Sequence, residues 1–191
     1  MDEDALKAVL ERYLADHLCR SGQVLYSGID TLRPGRYYFL AFNPAADGTN
    51  PRLRDVPLGR TEWSAYVDQC WHCDSDRRDD CGHPPTRHQA RLAGIMAALG
   101  RDPRGTFATN LFFVESRTAE DLNVGELWNP HWAVHREMLA VVVPERIVCI
   151  GNGEELSAFA LLREAAGRVE QEEQQDRLKG FVGTFDLGRG R

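Results

Sequence analysis

Three short stretches carry uncharged hydrogen-bonding side chains where apolar runs stop. The first is Ala41-Phe42-Asn43-Pro44-Ala45, the second Thr109-Asn110-Leu111, and the third Gly151-Asn152-Gly153. A side-chain amide offers one acceptor and two donors without charge, which suits holding a water or reading the edge of a neutral heterocycle. Asn also caps helices and closes turns, so each amide taken alone has a second, structural reading. A fourth stretch has soft ligands: Cys70-Trp71-His72-Cys73, then Cys81-Gly82-His83, with His88 beyond. Cys-x-x-Cys followed by another Cys and a His supplies the Cys₃His set of structural zinc sites. The expected ligands are therefore Cys70, Cys73, Cys81 and His83, around one structural zinc. The other reading is a polar loop with free thiols. No organic cofactor is indicated.

The elements that must position these residues are legible from periodicity. Apolar residues at helical spacing (Leu6, Val9, Leu10, Tyr13, Leu14, Leu18) predict a helix over Asp4 to Cys19. Tyr37 to Phe42 reads as the first strand, followed by a long Pro/Gly/Asn/Asp/Arg-rich loop over about 45 to 58. Glu62 to Gln69 reads as the beginning of a helix, and Thr86 to Leu99 as a helix closing at Gly100. Thr106 to Phe113 predicts a second strand, 131 to 143 a helix ending at Pro144, and Arg146 to Ile150 a third strand. A helix over Glu154 to Ala166, a charged turn or helix end over Glu170 to Asp176, and a last strand over Gly180 to Thr184 complete the pattern. Strands that are nearly all apolar and alternate with helices imply a mainly parallel sheet covered on both faces, a three-layer α/β/α fold with four strands. In such a sheet ligands collect beyond the carboxyl ends of the strands, where Asn43, Asn110 and the Gly151 turn all fall.

Composition bounds the class. The 191 residues, 42% hydrophobic and 27% charged, fit a single domain over 1–191 with a Cys/His-rich insertion at about 68–88. Lys and Arg number 23 against 29 Asp and Glu, a net charge of -6, so whole-chain electrostatics do not advertise a nucleic-acid binder and any such role needs local patches. Arginines at 52, 54, 60, 77, 78, 87, 101 and 104 recur in polar connecting segments, where a guanidinium fork suits phosphate or simply faces solvent. No apolar run approaches the ~20 residues of a membrane span, and Met1-Asp2-Glu3-Asp4 is acidic where a signal peptide is basic. The expectation is a cytoplasmic protein without membrane contact, its five cysteines reduced or metal-bound.

Taken in order, Gly28-Ile29-Asp30-Thr31-Leu32-Arg33-Pro34-Gly35 with Tyr38-Phe39-Leu40-Ala41-Phe42-Asn43-Pro44-Ala45, then Ala108-Thr109-Asn110-Leu111-Phe112-Phe113, then Val143-Pro144-Glu145-Arg146-Ile147-Val148-Cys149-Ile150-Gly151-Asn152, resemble the uracil-DNA glycosylase superfamily. The resemblance spans about residues 22 to 187 and implies a four-stranded parallel sheet between helices. It implies that Asn43 positions the attacking water and that Asn110 reads a base flipped out of the stack, with Phe42, Ala45, Gly151 and Asn152 also at the base. Trp63 is a second aromatic for stacking on that base, and core packing is the other use of Phe42 and Trp63. Ala45 stands where some relatives carry a bulky residue, which implies a roomier pocket. The partner implied is DNA or a nucleobase-containing ligand. Ala41 and Ala45 replace the glycines flanking the family motif, and the tail from Val182 to Arg191 has no histidine where active relatives carry one. Loss of a donor to the leaving base costs roughly 100- to 1000-fold in rate. Two function classes follow: a glycosylase-type hydrolase of a modified base, and a module on the same fold that binds a base without cleaving it.

Overall fold

The computed structural model describes residues 1–45, 50–72, 82–151 and 155–166, and the backbone of two further strands at 168–175 and 178–184. Helix α1, Glu3–Leu14, starts where Asp2 accepts from the Ala5 N–H and Glu3 and Asp4 sit in the positive first turn. It stops short of the expected Cys19, tightening into a 3₁₀ turn at Ala15–His17. Strand β1 is Tyr37–Ala41, and α2 is Arg87–Ala98, opened by a reciprocal cap in which Thr86 and Gln89 satisfy each other's N–H groups. Then come β2 (Ala108–Asn110), α3 (Val124–Val142), β3 (Arg146–Cys149) and α4 (Ala158–Ala165), the last capped by Ser157. Strands β4 (Arg168–Gln175) and β5 (Leu178–Thr184) follow.

The sheet order is β2-β1-β3, all parallel, with Phe39 facing Ala108 on one side and Val148 on the other. Because successive side chains point to opposite faces, the apolar run of β1 feeds two cores. Tyr38 and Leu40 pack with α1, α3 and α4 through Leu6, Leu10, Val134, Met138 and Leu162. Tyr37 and Phe39 pack with Leu92 and Met96 of α2 and with Tyr26 and Tyr66. Burial on both faces is what a central parallel strand requires.

Four expectations change. The described parallel sheet has three strands, because β5 pairs antiparallel with β4 as a separate hairpin. Arg-Val-Glu-Gln-Glu-Glu-Gln-Gln has no apolar run to bury on two faces, and its short link to β5 favours the antiparallel neighbour. The same pairing makes Glu170 to Gln175 strand rather than a solvated turn. Beside the outer edge of β2 lies the irregular segment 21–27, which bonds to it antiparallel through Tyr26 N to Ala108 O and Gln23 N to Phe113 O, both 2.9 Å. Glu62 to Gln69 is a turn rather than a helix, closed when Asp68 accepts from the Ser64 N–H at 2.8 Å. Helix α3 begins seven residues earlier than expected and runs through Pro130. Proline removes one helical hydrogen bond there, but Asn123 caps the start and Leu127, His131, Val134 and Met138 are all buried along one face. Among the described residues, no helix is long and apolar enough to cross a membrane.

Candidate functional site

Beyond the ends of β1 and β2 the two chains stay side by side. Leu111 N donates to Ala41 O and Phe112 N to Phe42 O, and Ala45 bridges Ser116 in parallel register. This double track presents Asn43. Its Nδ2 donates to Pro44 O at 2.7 Å and to Ser116 Oγ at 2.8 Å, while Ser116 Oγ donates to Thr118 O at 2.6 Å. A carbonyl only accepts, so the amino end of the amide must face Pro44 and the carbonyl end points away. Asn43 is half-buried, and its Oδ1 accepts no hydrogen bond from the described residues. An orientationally locked amide oxygen at the carboxyl rim, to which no described residue donates, can hold one water by one of its protons.

Asn110 ends β2 opposite Ala41, two residues before Asn43. It is 1% exposed, and among the described residues its Nδ2 has no hydrogen-bond partner. A buried donor without a partner costs about 1–3 kcal/mol, so a ligand acceptor delivered to it recovers that free energy on binding. The structure thus brings Asn43 and Asn110 to adjacent strand ends. Gly151, at φ +92°, makes the left-handed turn after β3, where Ile150 N still bonds to Leu40 O. Asn152 lies outside the described residues. Phe42 is half-buried with its ring edge-on to Phe112 at 5.4 Å and packs against the core, and Ala45 is exposed. The Trp63 ring is covered by the Arg60 guanidinium at 4.5 Å.

Residues that periodicity did not single out complete the rim. Asn50 Nδ2 donates to Ala45 O at 3.0 Å and to Glu115 Oε2 at 2.8 Å, tying the long loop to the segment after β2. Asn50 also lines a cavity of about 300 Å³ together with Gln23, Leu25, Leu58, Arg60 and Gln69. Asn43 and Asn110 are not among its lining residues. Its walls expose more polar than apolar surface, with three amides and one guanidinium beside Val24, Leu25, Val56 and Leu58.

Two histidines hold the β2 exit in place. His135 Nε2 meets Leu111 O at 3.0 Å, so that nitrogen carries the proton and Tyr38 OH donates to Nδ1 at 2.8 Å. Burial pushes His135 down to about 4, against smaller upward pulls from its bonds to the Leu111 and Asn110 backbone. His131 Nδ1 accepts from the Phe113 N–H at 3.1 Å, and burial, then His135, His17 and Arg20, hold it well below the ordinary imidazole range. Their i, i+4 spacing on α3 was the signal available in the sequence. Neither is placed to support a leaving base, since both are fully buried in core contacts.

Cys70 is buried and disulfide-bonded, and a disulfide sulfur has no thiolate to give a metal. Cys73 and Cys81 lie outside the described residues. His83 is exposed and faces His72, with ring centroids 5.3 Å apart. Cys19 is exposed and accepts from Arg54, whereas burial pushes the Cys149 thiol up to about 12, so it stays protonated. Among the described residues, no group of three or more His, Cys, Asp or Glu side chains is arranged to hold a metal.

Comparison with known protein families, with curated proteins and with solved structures finds no match to this chain.

Proposed function

We propose that this chain is a uracil-DNA glycosylase-like protein that takes an extruded base at the carboxyl rim of its parallel sheet and hydrolyses the N-glycosidic bond of a modified base in DNA. The observation that carries the proposal is the amide of Asn43, locked by Pro44 O and Ser116 Oγ, with no described residue donating to its Oδ1. The order β2-β1-β3 supports it, because the two outer strands flank β1 and all three end at this rim. So does Asn110, whose unpartnered Nδ2 suits a carbonyl of the base. In this reading Asn43 orients the water toward the sugar carbon as the base leaves, and Asn110 holds the base by its edge. Ser116 acts on Asn43 alone, as a positioning residue.

The test is excision of uracil or hypoxanthine from single- and double-stranded DNA by wild type, Asn43→Ala and Ser116→Ala. Asn43→Ala should lower the single-turnover rate on the order of 100-fold, the scale of one positioned water, and Ser116→Ala by less. An Asn43→Ala protein as fast as wild type would refute the role of the amide. The second reading, a module that binds a base without cleaving it, is favoured by the commitment of His131 and His135 to the core. It predicts saturable binding of modified-base DNA, weakened by Asn110→Ala and by salt, with no cleavage by wild type.

A further inference from the structure

Two amides in the lining of the 300 Å³ cavity, Gln23 and Asn50, have a fixed orientation. Gln23 Nε2 donates to Leu25 O at 3.0 Å, and Asn50 Nδ2 donates to Ala45 O at 3.0 Å and to Glu115 Oε2 at 2.8 Å. Carbonyl and carboxylate oxygens only accept, so each amide gives its amino end to these partners and turns its oxygen elsewhere. No described residue donates to Gln23 Oε1 or Asn50 Oδ1. Arg60 brings a positive charge to the same lining, and its guanidinium lies over the Trp63 ring at 4.5 Å, an arrangement that orients the fork through its face rather than its N–H edge. Among the described residues no acidic side chain lines the cavity, the Glu115 carboxylate being bonded to Asn50 outside it. The complementary ligand has N–H donors for two amide oxygens and a negative group for the guanidinium. With no carboxylate in the lining to offset an ammonium, the donor is a neutral amino group. An aromatic amino group has two N–H bonds, one for each amide oxygen, and its ring finds apolar cover in Val24, Leu25, Val56 and Leu58. We propose that this cavity binds a nucleotide whose base carries an exocyclic amino group, with the amino group on Gln23 Oε1 and Asn50 Oδ1 and the phosphate on Arg60. Asn43 and Asn110 do not line it, so the site stands or falls independently of the glycosylase reading.

The experiment is isothermal titration of the full chain with cytidine monophosphate, uridine monophosphate and cytidine. Uridine monophosphate is nearly the same size but presents a carbonyl where cytidine monophosphate has its amino group, which sets acceptor against acceptor; cytidine lacks the phosphate. Wild type, Gln23→Ala, Arg60→Gln and Asn43→Ala are compared, with circular dichroism as the check on folding. The expected result is saturable binding of cytidine monophosphate at one site per chain, with uridine monophosphate at least about tenfold weaker. Binding of cytidine monophosphate should weaken about 3- to 10-fold in Gln23→Ala, the range of a single hydrogen bond, and about tenfold or more in Arg60→Gln, where a charged contact is lost. Cytidine should bind wild type about tenfold or more weakly for the same reason, and Asn43→Ala should bind cytidine monophosphate as wild type does. Equal binding of the two nucleotides, Gln23→Ala or Arg60→Gln as tight as wild type, cytidine as tight as its phosphate, loss of binding in Asn43→Ala, or no saturable binding by wild type would each overturn the proposal. The comparison of ligands uses wild type alone, so it decides the matter even where a variant fails to fold.

Discussion

Acid should destabilise this fold well above the pH at which carboxylates titrate, and His135 sets the size of the effect. Its ring is fully buried, with Nε2 on Leu111 O and Nδ1 receiving the Tyr38 hydroxyl, and burial lowers it from 6.5 to about 4. In the unfolded chain the same ring protonates near its ordinary value, so between these two pH values the unfolded state binds the extra proton. Stability is therefore fully present above about pH 6.5 and is lost as pH falls toward about 4. The gap is worth roughly 3 kcal/mol over the whole range, at about 1.4 kcal/mol per pH unit, and about 2 kcal/mol of it is gone at about pH 5. His131, buried and depressed in the same direction, adds to the loss. Against a total stability of about 5–15 kcal/mol this is a large fraction. Urea unfolding at about pH 7.5 and about pH 5 measures it, and the pH slope should correspond to uptake of more than one proton. In His135→Gln, whose amide can still donate to Leu111 and accept from Tyr38, the His135 share of the slope should vanish. Stability that is flat across this window, or a His135→Gln protein as acid-sensitive as wild type, would refute the assignment.

Other substitutions test the frame around the site. Val143 caps α3 at φ +45° while 64% exposed, so Val143→Gly should raise stability by about 0.5–1 kcal/mol, read as a higher urea midpoint. A Cβ on Gly22 would run into the Phe113 carbonyl, so Gly22→Ala should destabilise by more than about 1 kcal/mol in the same measurement. Gln89 is fully buried, donates to Ala65 O and Gln69 O at 2.8 Å each, and accepts at the α2 cap. Gln89→Leu should therefore cost about 2–4 kcal/mol by orphaning these partners, and a loss below about 1 kcal/mol would argue against the network.

Much of the framework was legible in sequence, and for identifiable reasons. Tyr37 to Ala41 and Arg146 to Cys149 stand out as apolar runs that stop at Asn-Pro and Gly, whereas the second strand, expected over Thr106 to Phe113, is limited to Ala108–Asn110. Helix α2 is legible because Thr86 and Gln89 have the spacing of a reciprocal cap. Local signals misled where a nonlocal gain outweighed them. Pro130 marks a helix boundary by its own chemistry, but the buried face of α3 outweighs one missing hydrogen bond. The strand β4 has no apolar periodicity, and its pairing with β5 makes it a strand.

The candidate site divides in the same way. That Asn43 and Asn110 end apolar strands is written in the chain, because side-chain type and strand breakers are local properties. That Asn43 presents its oxygen is not, since the orientation comes from Ser116, 73 residues away, and the hydroxyl is itself held by Thr118 O. Asn110's buried donor, which has no partner among the described residues, and the histidine pair holding the β2 exit likewise depend on which atoms meet after folding. Sequence by itself determined the kinds of group available and the strand ends that carry them. Only tertiary structure decided which hydrogen bonds are already spent, and a site's chemistry resides in the donors and acceptors left over.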